Sequence, residues 1–230
     1  MRFGLRKLTL LDYPGEVACT VFTGGCNFRC PFCHNASLVR GIGDELELDH
    51  DGLLDFINKR AKMLDGICIT GGEPLLHPEL PNLLMELKQF GLKVKLDTNG
   101  SFPGRLQSVV AEGLVDMVAM DIKNTPSKYD MTAGHDGAFD MVCDSVAYLL
   151  QNHVSYEFRT TVVGGFHEVS DFEEIGKWLK GCQRYFLQKF EDSGDTLMFQ
   201  ESMANLTPEF MQACLAAVRK HLPQAELRGA

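Results

Sequence analysis

Strand signals and helix signals alternate, one for one, along most of this 230-residue chain. Apolar runs at 17–22, 66–70, 93–97, 114–121, 155–163 and 184–188 read as six strands. Between them stand stripes at helical spacing, such as Leu53, Phe56 and Ile57, then Leu80, Leu83, Leu84 and Leu87. Further stripes hold Leu106, Val109 and Val110, then Phe139, Val142, Val146 and Leu149, then Ile175 and Leu179. Gly91 and Gly113 stop two of these helices and Pro103 opens one. Ser170 to Glu173 has a capping-box pattern, and Thr207-Pro208 opens a last helix with Met211, Leu215 and Val218. Strands joined through helices run parallel, since each crossover carries the chain back to start again from the same end. A closed eight-fold barrel takes about 250 residues, more than this chain has to spare. The alternation predicts an α/β fold, an open, partial (β/α)6 TIM-like barrel of parallel strands. One domain over 1–230 is expected, with an N-terminal extension (1–16), the barrel core (17–188) and a C-terminal loop and helix (189–230).

In such barrels chemistry gathers at the C-terminal ends of the strands. The first strand runs into Gly24-Gly25-Cys26, and Cys30 and Cys33 follow within one short loop. A loop with that spacing can turn all three sulfurs toward one centre. Thiolates are soft ligands, so zinc and iron–sulfur clusters are the guests to weigh. Structural zinc takes four protein ligands, and His34 is an awkward fourth because it adjoins Cys33. Three thiolates and no fourth suit a four-iron cluster with one iron open to a substrate. A zinc or iron–sulfur module used only structurally or for electron transfer is the alternative. The other five cysteines, at 19, 68, 143, 182 and 214, are scattered singly and read as small buried hydrophobes.

The other distinctive residues also fall at strand ends. Gly71-Gly72-Glu73-Pro74 follows the second strand, Asp97-Thr98-Asn99-Gly100 the third, and Asp121-Ile122-Lys123 closes the fourth. On the fifth strand Glu157, Arg159 and Thr161 share a face, opposite Tyr156, Phe158, Thr160 and Val162. An arginine inside a barrel needs a carboxylate, supplied by a ligand or by an ion pair to Glu157 or Asp121. Lys95, on the face of Asp97, carries the same two readings. The net charge of -9 disfavours nucleic-acid binding through a basic surface. No apolar run is long enough to span a bilayer and no leader pattern precedes residue 17, so a membrane is not an expected partner. Eight cysteines without a secretory pattern point to a reducing, cytoplasmic setting.

Cys26-x-x-x-Cys30-x-x-Cys33, with the aromatic Phe32 before the last cysteine, resembles the signature of radical S-adenosylmethionine (radical SAM) enzymes. The continuation Cys33-His34-Asn35 and the upstream Asp12-Tyr13-Pro14-Gly15 resemble the activating enzymes of glycyl radical enzymes, most closely the anaerobic ribonucleoside-triphosphate reductase activating type. That resemblance implies one [4Fe-4S] cluster on Cys26, Cys30 and Cys33, with SAM on the open iron. It implies that Gly71, Gly72, Glu73 and Pro74 receive the methionine amino group, and that Phe32, His34, Asn35 and Asn99 shape the pocket. By resemblance to the pyruvate formate-lyase activating type, Asp97 and Asp121 hold a monovalent cation beside the SAM carboxylate. Lys123 then contacts that carboxylate or the ribose, and Arg159 is a further cofactor-binding candidate.

The implied reaction is reductive cleavage of SAM to methionine and a 5′-deoxyadenosyl radical, which removes hydrogen from a backbone glycine of a partner enzyme. The implied partners are a glycyl radical enzyme, with anaerobic ribonucleotide reductase foremost, and a low-potential electron donor such as flavodoxin or ferredoxin. The loops at 124–137 and 191–206 are candidates to receive the glycine peptide. Within the same class, activation of a formate-lyase-type enzyme and small-molecule chemistry such as that of 7-carboxy-7-deazaguanine synthase are the competing readings.

Overall fold

The stretch read as an extension supplies a strand of its own. In the computed structural model, which describes residues 1–33, 35–40, 46–192 and 194–229, β1 (Phe3–Thr9) pairs antiparallel with β2 (Ala18–Thr23). Its pattern was hard to read because Arg6, Lys7 and Leu8 are consecutively exposed, which breaks strand alternation. Basic side chains suit an edge strand, where they discourage pairing with another chain. A short helix, α1 (Ala36–Arg40), follows the cysteine loop, and α2 (His50–Arg60) is capped by the Asp49 carboxylate accepting from the Gly52 amide at 2.8 Å.

The remaining units follow in order: β3 (Gly66–Gly71), α3 (Leu80–Gln89), β4 (Lys93–Thr98), α4 (Pro103–Ala111) and β5 (Met117–Asp121). Then come α5 (Tyr129–Ala133), α6 (Ala138–Leu149), β6 (Ser155–Val162), α7 (Val169–Trp178) and β7 (Tyr185–Lys189). The chain closes with α8 (Glu201–Ala204), α9 (Pro208–Arg219) and β8 (Glu226–Arg228). Among the described residues the sheet runs β1 to β8 in chain order, and every pairing from β2 onward is parallel. This is the open partial barrel expected from the alternation, widened by one strand at each edge. With three residues, β8 is too short to show a period, and a long-range ion pair from Arg228 to Glu157 helps hold it.

β2 and β3 are apolar on both faces, as strands covered from both sides are. On α3 the residues Leu80, Leu83, Leu84 and Leu87 are buried, matching the stripe read from sequence. The Thr207 hydroxyl accepts from the Phe210 amide and Pro208 takes the first turn of α9, also as read. The capping box of α7 lies two residues earlier than Ser170 suggests: Glu168 caps, and the Asp171 carboxylate accepts from its amide at 2.8 Å. Asp171 is steadied there by Lys128 at 2.8 Å, whereas Glu173 is drawn outward to Lys177 and Lys220.

Register decides where the site forms. Thr23 aligns with Gly71, Thr98 with Met120, Asp121 with Arg159 and Thr161 with Gln188. The ends of β2 to β7 therefore reach one rim, and side chains two residues back point into the barrel from neighbouring strands.

Candidate active site

The cysteine loop is fixed by its backbone before any ligand is considered. The Gly72 amide donates to the Thr23 carbonyl and the Glu73 amide to the Gly25 carbonyl, both at 2.9 Å. A Cβ at Gly72 would overlap the Gly25 carbonyl oxygen, and one at Gly71, where φ is +123°, would overlap the Thr23 backbone. These glycines let the turn after β3 press against the loop that carries the cysteines. On the outer side, the amides of Leu197 and Met198 donate to the carbonyls of Cys33 and Pro31 at 3.0 and 2.9 Å. The Arg29 amide donates to the Ala133 carbonyl at the end of α5.

Above the strand ends lies a cavity of about 530 Å³. Cys26, Cys30 and Cys33, all free thiols, line it together with Phe32 and Asn35. Among the described residues, no three Cys, His, Asp or Glu side chains close on a single-ion point. The three thiols instead contribute jointly to the cavity lining. Burial pushes Cys26 up to about 11 and Cys30 up to about 12, so these sulfurs keep their protons until a metal displaces them. The amide of Phe28 donates to the Cys26 sulfur at 3.4 Å and Asn99 Nδ2 reaches the same sulfur at 3.7 Å. His34, read from sequence as a pocket-shaper, lies outside the described residues.

The same cavity is lined by a row of alternating charges carried by β4, by β6 and by the end of β5. Lys95 is 1% exposed and pairs with Asp97. Arg159 Nη1 donates to Asp97 Oδ2 at 3.2 Å and Arg159 Nε to Asp121 Oδ1 at 3.0 Å. Lys123 Nζ then donates to Asp121 Oδ2 at 3.1 Å. Burial opposes ionisation of Asp121, but Lys123 and Arg159 overcome it and hold the carboxyl well below the usual range. Burial likewise works against the charge on Lys123, and Asp121 overrides it, raising the ammonium well above its ordinary value. Arg159 therefore pairs with Asp97 and Asp121, while Glu157 is held bidentately by Arg228 at 2.6 and 2.8 Å. The guanidinium of Arg159 spans the gap between Asp97 and Asp121, where a monovalent cation was expected from sequence.

Gly71, Gly72, Asp97, Asn99, Asp121, Lys123 and Arg159, all cofactor-binding candidates read from sequence, line the cavity. Glu73 and Pro74 do not. Glu73 is fully buried behind the wall, where its carboxylate accepts from the Leu75 amide (3.0 Å), the Thr98 hydroxyl (2.8 Å) and the Asn99 amide (2.7 Å). It ties the turn after β3 to the end of β4, which leaves no free oxygen pointing at a ligand. Thr161, which shares the face of Arg159, also lines the cavity, with Gln188 at the end of β7 and Glu191 at the start of the 191–206 loop.

Three soft sulfurs line this cavity with Asp97, Asp121, Lys123 and Arg159, and Lys189, Glu191 and Asp192 complete its charged lining; Lys95 is buried and reaches the row through Asp97. The sulfurs fit a thiolate-bound cluster, and the cations Lys123 and Arg159 fit an anionic end of a ligand.

The family model for the radical SAM superfamily matches residues 20–179. A Methanocaldococcus jannaschii protein provisionally named a glycyl-radical enzyme activating enzyme is 33% identical over 197 residues, 82% of this chain and 79% of that one. A pyruvate formate-lyase-activating enzyme of Clostridium pasteurianum is 32% identical over 125 residues, 52% of this chain and 51% of its own. Among solved structures, Streptococcus suis SuiB bound to S-adenosylmethionine superposes with a TM-score of 0.66 at 11% identity, over 90% of this chain and 49% of that one. That likeness is one of fold, and this chain spans about half the length of that structure.

Proposed function

Because this chain belongs to the radical SAM superfamily, and is thus a radical SAM enzyme, we propose that it activates a glycyl radical enzyme, with anaerobic ribonucleoside-triphosphate reductase as the partner. The family implies a four-iron cluster and SAM, and Cys26, Cys30 and Cys33 are the thiolates to hold the cluster. Held by these cysteines, the cluster and SAM would supply one-electron reductive cleavage of a sulfonium, with the electron coming from an outside carrier, and so a carbon radical for hydrogen abstraction from glycine. The chain's own work is placement and shielding. Lys123, which lines the cavity and is kept protonated by Asp121, is the cation to take a carboxylate. Asn99 and the Phe28 amide steady the Cys26 sulfur, the kind of contact that tunes a cluster's potential.

The carrying observation is the meeting of the three free thiols and the charged row in one cavity at the strand ends. A protein substrate is favoured by the relatives named as activating enzymes. It is also favoured by exposed apolar side chains on the two segments that brace the cysteine loop, Met131 on α5 and Met198 and Phe199 in the chain after β7. A low-potential one-electron carrier completes the system. The test is anaerobic reconstitution with iron and sulfide, reduction with dithionite, and addition of SAM with candidate partners. We expect 5′-deoxyadenosine and a glycyl radical signal on the reductase. A signal only on a lyase reassigns the partner, 5′-deoxyadenosine without any glycyl radical moves the reading to a small molecule, and no SAM cleavage sinks it.

A further inference from the structure

Four carboxylate oxygens face the barrel interior from Asp97 and Asp121, and each already has a cationic donor. Asp97 Oδ1 takes Lys95 and Asp97 Oδ2 takes Arg159 Nη1 at 3.2 Å. Asp121 Oδ1 takes Arg159 Nε at 3.0 Å and Asp121 Oδ2 takes Lys123 Nζ at 3.1 Å. The guanidinium thus bridges the two aspartates with separate nitrogens, in the planar, forked manner that a lysine cannot copy. Its position is set by the sheet: Asp121 and Arg159 are register partners on β5 and β6, and Asp97 projects from β4 on the other side of β5. The side chain is 14% exposed, so water competes little for these bonds.

Around the two aspartates, positive charge already exceeds negative. Lys95, Arg159 and Lys123 contribute three positive charges and Asp97 and Asp121 two negative ones. Nearby Glu157 is already matched by Arg228. A potassium or sodium ion between Asp97 and Asp121 would find every oxygen of those two carboxylates already taking a cationic donor, with the guanidinium in the gap; Glu191 and Asp192 line the same cavity from the chain after β7.

We propose that the guanidinium of Arg159 stands in for a monovalent cation in this site, so that the chain orients Lys123 and binds SAM without potassium or sodium. The inference deepens the functional reading above and rests on it for the identity of the ligand. Arg159 is a positioning residue here, acting on the ligand through Asp121 and Lys123.

Two measurements on the full chain at constant ionic strength, with potassium or sodium replacing tetramethylammonium, test it. The first is the dissociation constant of SAM on the reconstituted protein. We expect it to change less than twofold across the series in the wild type. In Arg159→Gln, affinity should fall by about tenfold in tetramethylammonium and recover with potassium or sodium. Tenfold or greater tightening of the wild type by either ion overturns the inference, as does an Arg159→Gln variant with wild-type affinity in every buffer. The second is the thermal unfolding midpoint, which needs no SAM: it should be independent of the ion in wild type and raised by it in Arg159→Gln. A wild-type midpoint raised specifically by potassium or sodium also overturns the inference. Failure of SAM to bind under any condition defeats the functional reading, while the unfolding series still decides the role of Arg159. Should Arg159→Gln not fold, the wild-type series alone carries the test.

Discussion

Glu73 offers a direct measure of how the wall behind the cavity is held. It is fully buried, and burial pushes its carboxyl from 4.5 up to about 7, with the bonds from Asn99, Thr98 and Leu75 pulling partway back. A raised folded value means that the native chain holds a proton which the unfolded chain has already released. This contribution to stability is complete below pH 4.5 and is lost as pH rises through about 7. The interval from 4.5 to about 7, at about 1.4 kcal/mol per pH unit, comes to about 3 kcal/mol. Glu73→Gln keeps the shape and removes the titration. Urea unfolding of the cluster-free full chain from pH 4 to 8.5, wild type against variant, isolates the group from every other titration. The wild type should lose about 3 kcal/mol relative to Glu73→Gln between pH 4.5 and 8. A difference that stays flat, or one that moves the opposite way, would show that the three donors outweigh burial and that the buried group is an ordinary carboxylate.

Cys30→Ala should abolish iron and sulfide uptake and SAM cleavage, while Cys68→Ala should cost at most about 1 kcal/mol of stability and leave cluster content intact. Gly72→Ala, whose methyl group would overlap the Gly25 carbonyl, should lose about 1–3 kcal/mol by thermal unfolding and a share of cluster uptake. Arg228→Met leaves Glu157, 1% exposed, without its partner and should cost roughly 3–5 kcal/mol. Burial acts to raise Glu157 and Arg228 outweighs it, so the wild-type pair stabilises above the ordinary carboxyl range and fades as pH falls; the Arg228→Met penalty should shrink on acidification.

Much of the architecture can be read along the chain because it is local. Apolar stripes on α3, the Thr207-Pro208 cap, and strands that run out at Thr23, Gly71, Thr98 and Asp121 all follow from periods and caps within a few residues. The cysteine spacing is likewise a property of one loop, and it carries both the cluster chemistry and the family. What resisted reading is what two distant segments make together. β1 and β8 exist because partners across the sheet accept them, not because their own sequences are strongly strand-like. Glu73 and Arg159 looked alike from sequence, two charged residues near strand ends. Folding buries one behind the wall with three hydrogen-bond donors and sets the other between two aspartates in the cavity. Composition fixes how many charges the chain carries, but which oxygen meets which nitrogen depends on register between strand residues 38 and 62 positions apart, and only the assembled sheet sets that distance.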